Sequence, residues 1–326
     1  MVMENREDLI VGVDIGGTKV AAGLVNGRGE ILSRTRTSMN ATGDAAQGLA
    51  AVSEAIGNLF PGDTGAMGIK AIQAIGICAP GPLNPITGVI LNPPNLRCWH
   101  NYPLAAEMKK LYGVPVEVEN DANAAALAEV KWGSGRGYRN VFYATIGTGI
   151  GTGIIFDGKI YHGRTGAAGE GGHMGIDSHG PVCACGKRGC IETLAAGPGI
   201  ARRARQRLAE KRTSVLLELA GGDVEKVNSQ MVAQAASMGD AVAAEVMSET
   251  LDLLAYWLGN IVDLLEPDII VMGGGVSSML APHLEEIRQR WRGACLNPAA
   301  LEIPLVIAKY GEDAGIAGAA SLAPNA

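Results

Sequence analysis

Cys183, Cys185 and Cys190 stand in "CACGKRGCIE" with the spacing C-x-C-x4-C. Three thiolates and one imidazole make a closed tetrahedral zinc set. His173 and His179, both upstream, compete for the fourth place. Gly186 and Gly189 let the chain wrap tightly around an ion. A closed set keeps no position for water, so such a zinc braces the chain and is no Lewis acid. Free cysteines are the alternative. A dithiol redox pair is disfavoured, because C-x-C lacks the C-x-x-C spacing. Cys78, Cys98 and Cys295 are solitary, unlike a disulfide framework, and in a reducing compartment crowding favours metal.

A second group of residues suits phosphate. "DIGGTK" (Asp14 to Lys19) matches neither G-x-x-x-x-G-K-[ST] nor a dinucleotide fingerprint, in which the glycines open a helix. Here "VAAGLVNG" runs on into a strand. The expected structure is a hairpin tip whose backbone N–H groups face an anion. Gly16 and Gly17 allow close approach, while Thr18 and Lys19 add a hydroxyl and a charge. Asp14 ends the strand, where a carboxylate could hold Mg2+. Thr145, Gly147, Thr148 and Gly149 form a second such turn, and Gly273, Gly274 and Gly275 could leave room for adenine and ribose.

A third group suits hydroxyls. Asn120 and Asp121 fall where a strand pattern meets a helix pattern. They either cap the helix or supply the carboxylate that a poor hydroxyl nucleophile needs in phosphoryl transfer. Next to two phosphate turns, the catalytic reading is favoured. Glu170 and His173 in "AGEGGHMG", Glu192 in "CIE", Gly81 in a tight turn and Asn95 in a proline-stiffened loop could bind a sugar. Singly, each reads as an exposed loop residue.

These residues need strands and helices to hold them. "LIVGVDIGG", "IKAIQAIGICAPG", "VPVEVEND", "VFYATIG", "DIIVMGGG" and "LVIAKY" read as strands. "ANAAALAEVKWG", "AVAAEVMSETLDLLAYWLGNIVDLL" and "AGIAGAASLA" read as helices. The long helix could be core or dimer face, and core is expected. The alternation makes the class α/β. "DIGGTKVAAGLVNG" and "TIGTGIGTGIIFDG" align at an offset of 131 residues. Each reads as strand, glycine turn, strand and Asn-Gly or Asp-Gly hairpin. Two copies suggest two related domains with a ligand between them.

The 326 residues are enough for two domains, and the net charge of −6 argues against a nucleic-acid surface. Arg202, Arg203 and Arg205 could make a local basic patch, but a solvated helix face is the expected reading. No apolar run is long enough for a membrane helix, and the N-terminus lacks a signal-peptide pattern. No membrane partner and a cytoplasmic location are expected.

Together, "VGVDIGGTKVAAGLV", "APGPLNPITGVILNPPNL", "ENDANAAALAE", "IGTGIGTGII", "GEGGHMG", "CACGKRGCIE" and "VMGGG" resemble the ROK family of bacterial sugar kinases, repressors and related proteins. The likeness runs from about Leu9 to the C-terminus. It implies the actin-like ATPase (ribonuclease H-like) fold, with two α/β domains and a cleft between them. The domains expected are 1–119 plus 307–326 and 120–306. The resemblance makes Asp121 the catalytic base. Asp14, Gly17, Thr18 and Lys19 match the first phosphate motif, and Thr145 to Gly149 the second. Asn95, Asn120, Glu170, His173 and Glu192 match sugar-binding positions, and Gly81 a backbone contact. His173, Cys183, Cys185 and Cys190 match the ligands of a structural Zn2+. In such proteins the histidine serves both sugar and metal, which favours His173 over His179.

The first phosphate hairpin starts about ten residues from the N-terminus, so the family's DNA-binding repressors are disfavoured. The expected activity is ATP- and Mg2+-dependent phosphorylation of a hexose 6-hydroxyl. The E-x-G-H form and the PPN loop look most like the glucokinase branch, so glucose is the expected substrate. N-acetylmannosamine or N-acetylglucosamine kinases and fructokinases share every motif quoted. A sugar sensor without turnover and an actin-like assembly ATPase are the alternatives of other classes. The resemblance also implies a homodimer or homotetramer.

Overall fold

A computed structural model describes residues 9–61, 72–210 and 213–324. The chain divides into two compact units. Unit 1 takes Met1–Arg139, Gly153–Gly169 and Lys309–Ala326; unit 2 takes Asn140–Thr152 and Glu170–Ala308.

In unit 1, five strands form one sheet: β1 (Leu9–Ile15), β2 (Lys19–Val25), β3 (Ile31–Ser38), β4 (Ile72–Ala79) and β7 (Val116–Asn120). Their order is β3-β2-β1-β4-β7. β1 pairs antiparallel with β2 and parallel with β4, which pairs parallel with β7. The central strands read as nearly unbroken apolar runs because both faces are covered. The strand pattern begun at Ile69 appears as β4; residues 69–71 lie outside the described residues. β5 (Leu83–Asn84) and β6 (Val89–Ile90) make a small separate ribbon.

One face of the large sheet packs with α1 (Ala45–Gly57) and α2 (Leu104–Tyr112) around Ile56, Ile77, Leu96, Trp99 and Met108. The other face meets α11 (Ala314–Ser321), which also packs on α3 (Asp121–Trp132). Only small residues allow this approach. A Cβ on Gly76 would lie 1.7 Å from Ala319 O, and one on Gly12 2.1 Å from Ile316 O. The "AGIAGAAS" composition of α11 has the same cause.

The second sheet repeats the order of the first. Its strands are β8 (Val141–Ile146), β9 (Ile150–Phe156), β10 (Lys159–Ile160), β11 (Ile269–Gly273) and β12 (Leu305–Ile307). They run β10-β9-β8-β11-β12, with β8, β11 and β12 parallel. The chain passes from unit 2 to unit 1 within β9. The repeat thus extends to five strands, beyond the two that the sequence alignment reaches.

The two expected hairpin turns differ. Asp157 and Gly158 both have positive φ, 51° and 74°, as an Asp-Gly two-residue turn requires. In the first copy the left-handed residue is Gly29 (φ 74°), not Gly27. There Asn26 Oδ1 accepts the N–H groups of Arg28 and Glu30, each at 3.0 Å, and the loop is longer.

The remaining helices belong to unit 2: α4 (Ile191–Ala195), α5 (Gly197–Ala209), α6 (Leu216–Leu219), α7 (Ser229–Ser237), α8 (Ala241–Leu265), α9 (Gly275–Leu280) and α10 (Leu284–Trp291). α8 is core, as expected: Val246, Leu254, Trp257, Leu258 and Ile261 are buried, and Trp257 meets Phe142 edge-on at 5.8 Å. It stops at Glu266 (φ 43°), ahead of Pro267. No helix among the described residues is long and apolar enough to cross a membrane.

Two boundaries depart from the sequence reading. The unit division falls at Arg139/Asn140, not between residues 119 and 120, and Gly153–Gly169 returns to unit 1. α3 stays with unit 1 because it packs flat against α11: a Cβ on Gly318 would lie 2.7 Å from the Ala124 backbone. The "LVIAKY" strand stops at Ile307. Lys309 and Tyr310 instead fasten to α3, through Trp132 O at 2.9 Å and Glu129 Oε1 at 3.2 Å.

Candidate functional site

In unit 1 the β1–β2 turn, the β4 end and the start of α3 open on one cavity of about 480 Å³, lined by Asp14, Gly16, Gly17, Thr18, Pro80, Asn95 and Asp121. Topology explains the gathering, since β1, β4 and β7 run parallel and end together. Gly16 N–H closes the hairpin on Lys19 O at 2.9 Å. Gly17 must be glycine because a Cβ would meet Asn95 O at 2.8 Å. That loop is pinned by Leu96 and Trp99, both fully buried. Lys19 is exposed at the first position of β2 and is not among the lining residues.

Asp14 is mostly buried, and burial raises its carboxyl above the ordinary value; the Cys78 hydrogen bond, Lys19 and Arg36 pull it back. The Cys78 thiol donates toward Asp14 Oδ1 at 3.6 Å and Gly315 O at 3.3 Å. Burial and the charges of Asp14 and Asp121 push that thiol well up, so it stays protonated. A mostly buried carboxylate gains from a cation, and Asp14 could hold Mg2+ here.

Of Asn120 and Asp121, it is Asn120 whose side chain makes the cap. Asn120 caps α3, its Oδ1 accepting from Ala122 N at 3.0 Å and Asn123 N at 3.3 Å. Asp121 is exposed and its Oδ1 accepts Ala122 N–H at 2.8 Å. It lines the cavity. Gly81 precedes a cis bond to Pro82, close to the Asn120 amide.

In unit 2 the second turn closes through Gly147 N–H to Gly149 O at 2.9 Å, and Gly197 N–H reaches Gly147 O at 2.9 Å. Gly147 and Thr148 line a cavity of about 500 Å³ with Gly197, Pro198, Arg205, Asn228, Gln230 and Gly275. Of the glycine run, only Gly275 lines it. Gly273 and Gly274 are small for packing reasons: a Cβ on either would come within 2.4 Å of Tyr143 Oη or Ile146 O, respectively. Thr145 is half-buried at the end of β8 and, like Gly149, is not a lining residue.

Glu170, His173 and Glu192 also belong to unit 2. Glu170 is exposed and leads a single 3-10 turn, Gly171–His173. Gly171 N–H donates to Thr152 Oγ1 at 2.8 Å, which anchors this loop to β9. Glu192 begins α4. Its Oε2 accepts Ile150 N–H at 2.9 Å, and its Oε1 lies 3.9 Å from His173 Nδ1.

The ligand atoms of His173, Cys183, Cys185 and Cys190 all lie within 4.8 Å of one another. Cys185 Sγ is 3.6 Å from Cys190 Sγ, and Cys183 Sγ is 3.5 Å from His173 Nδ1. Ligands about 2.0–2.3 Å from a tetrahedral zinc stand roughly 3.3–3.8 Å apart, so the donor set fits. Burial and the neighbouring Cys185 and Cys183 push the Cys190 thiol up to about 12, a crowding that a cation relieves. His179 lies outside the cluster, its Nδ1 3.2 Å from Ser178 Oγ. Gly189 (φ 61°) must lack a side chain, since a Cβ would sit 1.7 Å from Asp177 O. The loops are also joined by backbone bonds, Ile191 N–H to Met174 O at 3.0 Å and Ile176 N–H to Gly189 O at 2.9 Å.

Sequence reasoning missed Arg205, Asn228 and Gln230 in the second cavity. The arginine run on α5 was the available signal, but it reads as a solvated face. The structure corrects that reading: Arg203 is largely buried and paired with Glu249 at 3.1 Å, while Arg205 faces the cavity.

The sequence model of the ROK family matches residues 10–326. A glucokinase of Streptomyces coelicolor is 37% identical over 321 residues, 97% of each chain. An N-acetylmannosamine kinase of Shigella flexneri is 34% identical over 314 residues, 96% of this chain and 98% of that one. Among solved structures, a ROK family glucokinase from Streptomyces griseus in complex with glucose and AMPPNP superposes with a TM-score of 0.80 at 35% identity. The match covers 98% of this chain and 100% of that one.

Proposed function

Because the chain belongs to the ROK family, we propose that it is an ATP-dependent hexose kinase that phosphorylates the 6-hydroxyl, with glucose as its substrate. The observation that carries this reading is the unit 1 cavity, which gathers Asp121, Asp14 and the Gly16–Thr18 hairpin. A base, a cation ligand and an anion-binding turn are the parts that phosphoryl transfer needs.

In this reading Asp121 orients the 6-hydroxyl and accepts its proton as the phosphoryl group transfers. Gly17 and Thr18 present backbone N–H groups and a hydroxyl to the phosphates, on a hairpin that Gly16 closes. In the second turn Thr145 and Thr148 offer hydroxyls, with Gly147 and Gly149 keeping the backbone bare, and Lys19 adds positive charge. Asp14 would hold Mg2+, which when bound neutralises charge on the phosphate oxygens. The cavity with Gly275, Arg205 and Gln230 takes the adenosine, while Gly273 and Gly274 let β11 pack closely beside it. Gly81, Asn95, Asn120, Glu170, His173 and Glu192 are the residues proposed to bind the sugar hydroxyls. His173, Cys183, Cys185 and Cys190 would hold a structural Zn2+ that steadies Glu170 and Glu192. Since Nδ1 of His173 faces Cys183, Nε2 is the nitrogen for the sugar.

The Streptomyces coelicolor glucokinase supports glucose, and the Shigella flexneri N-acetylmannosamine kinase favours an N-acetylhexosamine as the second reading. ADP release with ATP and glucose, mannose, fructose, N-acetylglucosamine or N-acetylmannosamine decides between them. Fastest turnover of glucose is expected. Turnover of an N-acetylhexosamine alone would install the second reading, and binding without any turnover would leave a sugar sensor.

A further inference from the structure

Behind Asn120 and Asp121 lies a buried carboxylate that the mechanism above does not use. Glu119, the residue before them on β7, has a side chain only 4% exposed. Its Oε1 accepts the backbone N–H of Asn120 at 2.8 Å and the side-chain amide of Asn123 at 3.1 Å. Its Oε2 lies 2.5 Å from Nε2 of His162, whose side chain is 33% exposed. Facing an ionised carboxylate, which only accepts, Nε2 carries the proton and donates. A charge taken out of water needs such a partner.

We propose that Glu119 and His162 are positioning residues for Asp121. Glu119 grips the β7–α3 junction from the strand side while Asn120 caps it from the helix side, so the backbone of Asp121 is held between two fixed neighbours. His162 compensates the buried charge of Glu119 and so keeps the grip taut. Its carbonyl accepts Ala168 N–H at 3.2 Å, which ties the clamp to the loop that leads on to Glu170. Both residues also line a cavity of about 340 Å³ separate from the Asp121 cavity, with Glu117, Lys131, Ile160 and Leu322 among its walls. His162 is therefore open to small solutes from behind the site. Proximity catalysis is steep in position, and a misplacement of about 1 Å costs on the order of 100-fold in rate.

The inference rests on Asp121 being the proton acceptor, so the experiment carries wild type and Asp121→Asn alongside. The variants are His162→Ala, His162→Gln, which keeps a neutral N–H donor, and Glu119→Gln. Each is assayed for kcat and for both KM values on the substrate that wild type prefers. His162→Ala is expected to lose roughly 10-fold or more in kcat, with the ATP KM unchanged and a thermal melt like wild type. His162→Gln is expected to recover most of the rate, and added imidazole to restore part of it to His162→Ala through the rear cavity. A merely structural role gives neither recovery. His162→Ala turning over like wild type overturns the proposal, as does a His162→Gln equally impaired and unrescued by imidazole. Should His162→Ala fail to fold, Glu119→Gln decides by the same kcat criterion. An inactive wild type, or an active Asp121→Asn, strikes the kinase or base reading and this inference with it; an impaired Asp121→Asn beside an unimpaired His162→Ala strikes this inference alone.

Discussion

Gly149 joins the proposed second phosphate turn to a proposed sugar ligand, and one methyl group there tests the latter. A Cβ on Gly149 would lie 2.5 Å from Glu192 Oε2, where real contacts begin at 3.0 Å or more. The carboxylate is the movable partner, so in Gly149→Ala it retreats by about half an ångström or more. That motion strains the bond it accepts from Ile150 N–H, now 2.9 Å. A hydrogen bond to a charged group contributes ~1.5–3 kcal/mol net. Glu192 is partly exposed, at 27%, so the low end applies. About 1.5 kcal/mol corresponds to roughly a 10-fold change in an equilibrium constant. Calorimetry with glucose and no nucleotide isolates this effect from any effect on phosphate. The expected result is a glucose Kd raised by roughly 10-fold in Gly149→Ala, with the fold intact by circular dichroism. An unchanged Kd would refute either the placement of Glu192 on the sugar or its dependence on a bare Gly149.

Cys185→Ser, at the exposed corner of the cluster, is expected to lose zinc in elemental analysis of the purified protein. Its glucose affinity should fall more than its ATP affinity; metal-free wild type, or a variant that binds glucose normally, contradicts the brace. The Ile191–Met174 and Ile176–Gly189 backbone bonds limit the loss, so weakened binding is expected and not unfolding. Asp14→Asn should remove Mg2+-dependent turnover yet raise the melting temperature near pH 7. The sign follows from burial, which raises the Asp14 carboxyl above 3.8: the folded state holds that proton more tightly than the unfolded one. The charged form therefore destabilises the fold as pH rises above that value, and the advantage of Asn disappears in acid, where both chains are neutral. A lower melting temperature for Asp14→Asn at neutral pH would show that burial is not the dominant influence.

Local signals in the chain carry much of this account, and tertiary ones carry the rest. "DIGGTK" is legible because a strand, two glycines and a second strand leave few choices for the backbone. C-x-C-x4-C is legible because thiolates at that spacing have few other uses. His173 and His179 are not separable by spacing; the fold brings the His173 ring to the three cysteines and leaves His179 against Ser178. The domain boundary is illegible for a similar reason. The start of α3 looks like the start of a domain, but its allegiance depends on Gly318 and Ala124 meeting across almost two hundred residues. Arg203 and Arg205 are adjacent-but-one on one helix, yet one is buried against Glu249 and the other lines a cavity. Composition cannot separate them. Glu119 reads as one more residue of an alternating strand, and only its three partners reveal the clamp.

The central claim is that Asp121 takes the proton of the hexose hydroxyl. It is tested most directly by Asp121→Asn, measured for kcat by ADP release and for glucose affinity by calorimetry. Asparagine keeps the size and the polar contact but is nearly non-basic. The account predicts a kcat lower by roughly 10²–10⁴-fold with glucose still bound. A variant that retains most of the wild-type kcat would contradict it.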